Sequence, residues 1–197
     1  MSASSLLDIR KQLAFYGAYH NNSWNIFLHL IGVPLLLWSA EILFHDLQVS
    51  LPTYSYVINE YLRFDLNFPT AWLGLCLAYY AVLDPVATLF YLPQSALSLL
   101  TATAYAYHPG AFQTAAAINI GAWIAQFIGH GVAEKRAPAL LDNILGAFVL
   151  APFFVHLEVL FALGYKPGLR RDVKNLVGVE IARFRRLDAE KRAAKAE

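Results

Sequence analysis

Charge is scarce in this sequence where a soluble domain would need it. From Pro85 through Ala133 there is no Asp, Glu, Lys or Arg, and that stretch is long enough for two crossings of a hydrocarbon core needing about 20 residues each. Across the 197 residues, 15% are charged and 58% hydrophobic, with a mean hydropathy of +0.45, against roughly 25% charged in an average soluble domain. An ordinary aqueous globule is therefore excluded, and lipid is the natural solvent. Cysteine is almost absent as well. Cys76 stands alone in an apolar run, which rules out an internal disulfide framework and any CxxC-type metal site and leaves that thiol as core or lipid-facing filler. There is no HExxH, no GxSxG elbow, no P-loop and no dinucleotide fingerprint. Residues Met1 to Tyr19 lack the basic start, apolar run and small-residue cleavage site of a signal peptide, so insertion is expected to rely on an internal hydrophobic segment.

The charges that are present divide along the chain. Residues 165–197 hold ten of the 15 Lys and Arg against five acids, net +5, and residues 1–164 hold five against nine, net −4, for a total of +1. The tail is the basic part, and no nucleic-acid partner is expected.

Hydrophobic periodicity gives an all-α reading: a polytopic membrane helix bundle of about four to five hydrophobic segments, with an amphipathic helix at each end. Residues 3–19 form the first amphipathic helix, with Leu6, Ile9, Leu13 and Tyr16 at helical spacing. Asn21, Asn22 and Ser23 break it and cap the next, a membrane helix from Trp24 to about Phe44 that Pro34 should kink. His45 to Pro69 is a polar, tyrosine-rich excursion. Pro69–Leu83 and Pro85–Tyr107 follow, separated by Asp84-Pro85, and His108-Pro109-Gly110 turns the chain into Ala111–Gly129. Ala139–Tyr165 is the fifth segment. After Lys166-Pro167-Gly168, Val173, Val177, Ile181, Phe184 and Leu187 step by three or four among many Lys and Arg. That pattern describes a helix on an anionic membrane surface, or else a solvated helix docked on the bundle. Residues 1–167 then make the membrane-embedded domain and 168–197 the basic C-terminal helix. By the positive-inside rule Arg10, Lys11, Lys135, Arg136 and the tail share the cytoplasmic side, yet five crossings would separate the two ends. The fifth segment is the candidate re-entrant one, with Pro152 dividing it into two short helices.

Two histidine-bearing motifs sit inside this apolar chain: Tyr19-His20-Asn21-Asn22-Ser23-Trp24-Asn25 continuing to His29, and Gln126-Phe127-Ile128-Gly129-His130 continuing to Glu134. Imidazole and carboxylate are costly in lipid and usually serve a metal, a proton path or a ligand there. On one continuous helix, nine residues at about 100° each would put His20 and His29 on opposite faces. The break at Asn21–Ser23 lets His29 face back toward His20. Asn25 and His29, and likewise His130 and Glu134, are four apart and share a face. If the first and fourth membrane helices pack together, three imidazoles and one carboxylate meet at one membrane boundary, a donor set suited to a redox-active divalent metal. The many-histidine HxxxH and HxxHH clusters of membrane di-iron enzymes are missing, which argues for one metal. The competing reading of each His alone is a hydrogen bond to a backbone carbonyl. His45 and His108 fall at segment ends, and His156, beside Glu158, is a candidate supporting partner. Asp84 is expected in a turn and Asp142 near a helix N-terminus. Lys135 and Arg136 are membrane-edge anchors or attract a ligand carboxylate.

Phe15-Tyr16-Gly17-Ala18-Tyr19-His20, Asn25, His29, Gly32-Val33-Pro34, Gln126 to His130, Glu134 and Pro138-Ala139-Leu140, followed by Pro152-Phe153-Phe154 and Glu158-Val159-Leu160, resemble the Mpo1-like family of membrane 2-hydroxy fatty acid dioxygenases. The likeness runs to about Pro167. It implies an Fe(II)-dependent, multi-pass enzyme of the endoplasmic reticulum membrane, with O2 as co-substrate, that shortens long-chain 2-hydroxy fatty acids by one carbon in fatty acid α-oxidation, including phytosphingosine degradation. His20, His29 and His130 carry over as metal ligands and catalytic residues, with Glu134 as the adjoining acid; His156 is outside the pattern. Substrate contacts are expected from Asn25, Lys135 and Arg136, and from Trp123 and Phe127 as walls of an acyl groove. The other classes are a non-catalytic lipid-binding or scaffolding membrane protein and a metal or proton transporter.

Overall fold

The computed structural model describes residues 6–47, 54–134 and 146–196. Its first helix, α1 (Ile9–Tyr19), starts at Ile9 because the Asp8 carboxylate accepts the backbone N–H of Arg10 and Lys11. The chain breaks at His20 and Asn21, and the Asn22 side chain accepts the N–H of Trp24 at 2.9 Å. This cap opens α2 (Ser23–Leu43), which continues through Pro34.

The excursion after α2 holds an element the all-α reading lacked. Strands β1 (Ser55–Asn59) and β2 (Leu62–Asp65) pair antiparallel. Tyr56, Val57 and Ile58 favour a pleated strand, and Asn59 Oδ1 tightens the turn by accepting the N–H of Tyr61 and Leu62. Four groups hold Asp65 beneath the hairpin: Ser55, Arg63, His45 at the end of α2, and the Tyr107 hydroxyl. Burial opposes ionisation of this carboxyl, yet these hydrogen bonds outweigh it and bring its pKa down to about 2.

Next come α3 (Phe68–Leu83), α4 (Pro85–Ala106) and α5 (Ala111–Ile128), the last continuing into a wider π-helical turn, Gly129–Glu134. Asp84 lies in the turn between α3 and α4, as expected, and caps α4 through the Ala87 N–H. Gly110 enters α5 at φ 79°, where a side chain would be strained. Contacts fix the directions of the helices. Gln126 donates to the Leu28 carbonyl and Asn119 to Ser39, so α2 and α5 run antiparallel. The His45–Asp65–Tyr107 network ties the end of α2 to the end of α4.

Among the described residues two helices, Ser23–Leu43 and Ala111–Glu134, are long and apolar enough to cross a membrane, and a third span arises if the bent pair Phe148–Ala162 and Pro167–Leu187 counts as one. Four to five segments were expected. The difference is physical: α3 is apolar but has 16 residues, and α4 carries Gln94, Ser95, Ser98, Thr101 and Thr103.

A π-helical segment (Gly146–Leu150) leads into α6 (Ala151–Ala162). Pro152 was expected to split the fifth segment. It stands in the first turn of α6, immediately after the π-helical segment ends, where its missing N–H costs nothing; the first part of the expected segment, through residue 145, lies outside the described residues. The sharp bend falls later, at residues 163–166, where Gly164 and Lys166 have φ 90° and 41° and the axes turn by 120° into α7 (Pro167–Ala196). Lys166 is held in this conformation by Asp84, Nζ to Oδ2 at 2.8 Å.

The tail helix α7 docks on α1. Val173 is buried, the Tyr19 and Phe184 rings meet edge-on at 5.3 Å, and a Cβ at Gly17 would lie 2.7 Å from Val177. One core joins these parts: Leu13 and Tyr16 of α1, Tyr80 and Leu83 of α3, Tyr91 of α4, Phe153, Phe154 and Leu157 of α6, and Val173. That core fixes α1 across the end of the bundle where α2 begins and α5 finishes.

Candidate metal centre

At that end His20, His29 and His130 come together, all buried, with one nitrogen from each lying within 4.8 Å of the others. His20 ends α1, His29 stands on the second turn of α2, and His130 sits in the π-helical turn after α5. The extra residue per turn of a π-helix commonly marks a functional site. Here it aims the His130 ring into the gap, 4.8 Å from the His20 ring and 4.9 Å from the His29 ring, centre to centre.

The hydrogen bonds define the tautomers. His20 Nδ1 is 2.8 Å from the Tyr16 carbonyl and His29 Nδ1 is 2.9 Å from the Asn25 carbonyl. A carbonyl oxygen only accepts, so both Nδ1 atoms carry the proton. Each neutral ring then presents an Nε2 lone pair, and these two nitrogens face each other at 3.1 Å. Burial, then the neighbouring His29, pushes the His20 pKa well below the ordinary imidazole value, so a proton is a poor bridge between them. His130 Nδ1 is buried with no hydrogen-bond partner among the described residues. Converging, neutral, under-partnered imidazole nitrogens fit a divalent transition metal. Metal–nitrogen distances of about 2.0–2.1 Å put the three within a small side-chain rotation of a shared ion.

Glu134 is engaged through one of its oxygens by the start of α2. Its Oε1 accepts the N–H groups of Asn21 and Asn22, each at 2.7 Å, and Asn25 Nδ2 at 3.2 Å. It caps the N-terminus of α2 from α5, where negative charge is favoured, and so fastens the two histidine-bearing helices together. Asn25, fully buried, bonds Glu134 and the Tyr19 carbonyl through its amide while its own carbonyl orients His29. Both residues thus link the segments that carry His20, His29 and His130.

Other residues singled out in the sequence are dispersed. Trp123 and Phe127 meet in a tilted pair, and Trp123 meets Phe148 edge-on; Phe127 is 48% exposed. His156 packs against Tyr91 and lies outside the three-histidine cluster. His45 belongs to the hairpin network, at the far end of α2. Lys135, Arg136, Asp142 and Pro138-Ala139-Leu140 lie outside the described residues.

Three supporting residues carried no assigned role in the sequence reading. Tyr16 stacks flat on His20 with ring centres 3.9 Å apart; in the sequence it stood only as part of the first helix's apolar face and of the Phe15–His20 motif. Gly129 and Gly32 allow α2 and α5 to approach. A Cβ on Gly129 would fall 2.4 Å from Asn25 Oδ1, and one on Gly32 would fall 2.0 Å from Gln126 Nε2.

A family model described as 2-hydroxy-palmitic acid dioxygenase Mpo1-like matches residues 6–163. The chain is 36% identical over 177 residues to the 2-hydroxy-palmitic acid dioxygenase MPO1 of Saccharomyces cerevisiae, covering 86% of this chain and 90% of that protein. No solved structure matches it. The matched region contains the whole triad.

Proposed function

This chain belongs to the Mpo1-like family, and from that premise we propose that it is an Fe(II)-dependent membrane dioxygenase that shortens long-chain 2-hydroxy fatty acids by one carbon. The reading places it in the endoplasmic reticulum membrane, as a multi-pass protein acting in fatty acid α-oxidation and phytosphingosine degradation. The observation that carries it is the pair of Nε2 atoms of His20 and His29 facing each other at 3.1 Å beside His130.

His20, His29 and His130 are the residues that would hold the metal. Iron bound there would supply reactivity toward O2, which no side chain of this protein has. Three protein ligands leave open positions of the kind that non-haem Fe(II) oxygenases use, and an α-hydroxy carboxylate brings two adjacent oxygens of its own. The overall change balances without a reductant: a 2-hydroxy acid and O2 become the acid one carbon shorter, CO2 and water. Tyr16 and Asn25 hold the His20 and His29 rings by backbone acceptors, so both rings keep their Nε2 lone pairs free and pointed inward. Glu134 is assigned to positioning rather than ligation. Lys135 and Arg136, next in the chain, are proposed to attract the substrate carboxylate, and neutral, low-dielectric surroundings exclude bulk water from the reacting carbon.

The test is protein purified in detergent, analysed for iron, with oxygen uptake on 2-hydroxypalmitate measured against pentadecanoate formed. Equimolar uptake and product are expected, and His20→Ala, His29→Ala and His130→Ala should each lose iron and turnover while keeping helical circular dichroism. Full activity in two of the three variants would end the proposal.

A further inference from the structure

The β1–β2 hairpin is inverted relative to one built for water. In its register Tyr56 stands opposite Phe64, Ser55 opposite Asp65 and Val57 opposite Arg63, and side chains of opposed residues share a face. One face is therefore Tyr54, Tyr56 and Phe64; the other is Ser55, Val57, Arg63 and Asp65. The polar face is the one turned onto the protein. Asp65 is buried there against His45 and the Tyr107 hydroxyl, and the Arg63 guanidinium, bonded to Asp65, lies 3.5 Å from the centre of the Tyr107 ring. The apolar face is turned away. Tyr54 and Tyr56 on it, Ile58 at the bulge and Tyr61 in the turn are each between 49% and 70% exposed. Antiparallel sheets at an aqueous surface show the reverse, with apolar residues inward and polar ones outward, and an uncovered apolar edge strand in water invites aggregation.

We infer that this face lies on the lipid of the bilayer that α2 crosses, at the membrane surface remote from the triad, and anchors that end of the bundle there. The inference rests on the reading of α2 and α5 as membrane-crossing helices and is independent of the dioxygenase chemistry. Leu43, the last residue of α2, is fourteen residues past His29, about 21 Å along the helix, so the hairpin stands at the opposite interface. The apolar surface continues around it. Phe44 and Leu47 just beyond α2 and Phe68 at the start of α3 are exposed; the Phe44 and Phe68 rings meet edge-on, and Phe68 stacks on Trp72. Aromatic rings, above all those of Tyr and Trp with one polar atom, collect where hydrocarbon meets headgroups. Charge identifies the kind of lipid contact. Arg63 is the one Lys or Arg between residues 44 and 110, and Asp65 neutralises it at 3.1 Å, while Asp46 and Glu60 are exposed acids. With no free cation to attract anionic headgroups, the contact is made by apolar area, and a zwitterionic bilayer is sufficient.

The test uses the full-length protein in a Cys76→Ala background with one new cysteine carrying an environment-sensitive NBD fluorophore. It is reconstituted in phosphatidylcholine vesicles that hold a nitroxide either high on the acyl chain or near its end. A label at Tyr56→Cys should emit to the blue and lose most of its emission to the high nitroxide. At Val57→Cys, a position no less exposed but on the Arg63 face, quenching should be severalfold weaker. Ile120→Cys, at an exposed position near the middle of Ala111–Glu134, reports the membrane reading itself and should be quenched best by the deep nitroxide. Quenching at Ile120 with none at Tyr56, or equal quenching at Tyr56 and Val57, overturns the inference and leaves the spans standing. A blue shift at Tyr56 without nitroxide quenching assigns the face to a second copy or another protein and overturns it as well. No quenching at Ile120 removes the membrane reading and the anchor together.

Discussion

Replacing Glu134 separates a metal ligand from a residue that merely holds the ligands. One of its oxygens gathers three donors: two backbone N–H groups at 2.7 Å and the Asn25 amide at 3.2 Å. The Asn21 N–H is at an exposed residue and water replaces its partner. Those of Asn22 and Asn25 are shielded, and each shielded bond to a charged acceptor is worth about 1–2 kcal/mol when lost. The carboxylate also stabilises the start of α2 by about 0.3–1 kcal/mol. Glu134→Ala should therefore cost about 3 kcal/mol and lower the thermal midpoint in detergent by about 6–12 °C for a chain of this size. Glu134→Gln keeps an acceptor and loses the charge, so its cost is about 1 kcal/mol and its shift about 2–4 °C. The assay pairs unfolding, followed by circular dichroism, with iron content at a temperature where both variants are folded. Iron should fall in proportion to lost stability: partly for Glu134→Ala and little for Glu134→Gln. A Glu134→Gln protein that melts with the wild type but contains no iron would refute the reasoning and make this carboxylate a ligand.

Three further outcomes follow from the same contacts. Gly129→Ala places a methyl against Asn25 Oδ1, 2.4 Å away, inside a well-packed seam, and should destabilise by about 1–3 kcal/mol in thermal unfolding while depleting iron, since the same shift moves His130. Gly17→Leu should lift α7 from α1 at Val177, seen as faster proteolysis of the tail with the membrane core intact. For Asp65, whose folded pKa of about 2 lies below the ordinary 3.8, the stabilisation is complete above about pH 4 and disappears as pH falls through 2. It amounts to about 1–2 kcal/mol. Asp65→Asn should melt earlier at pH 6 and show no such acid-dependent loss, and an identical pH profile in the two proteins would refute the assignment.

Much of the fold was legible because hydrocarbon is an unforgiving solvent. A charge-free stretch from Pro85 to Ala133 with Asp84-Pro85 before it and His108-Pro109-Gly110 inside it dictates helices and their turns almost alone, and Asn22 announces the start of α2. The hairpin was missed because its polar turn and tyrosines look like any interfacial loop until the strands pair. Pro152 marks the change from the π-helical segment to α6: proline breaks a helix interior but begins a helix without cost, so a boundary at that residue was legible.

The candidate site divides in the same way. Residue chemistry alone pointed to His20, His29 and His130, because an imidazole inside an apolar segment must be repaid by some partner. Which partner Glu134 serves was beyond the sequence: the four-residue spacing from His130 is equally compatible with facing the ion and with facing the open N–H groups of α2. Tertiary packing supplies the contacts that favour the second. The approach of α5 to α2, permitted by Gly32 and Gly129, brings the carboxylate to Asn21 and Asn22 across more than a hundred residues of chain. Composition and periodicity thus determined the helices and the kind of atom gathered at one end of them. Orientation and the division between holding and binding arose only when the helices met, because those properties belong to distances between segments that the order of residues does not encode locally.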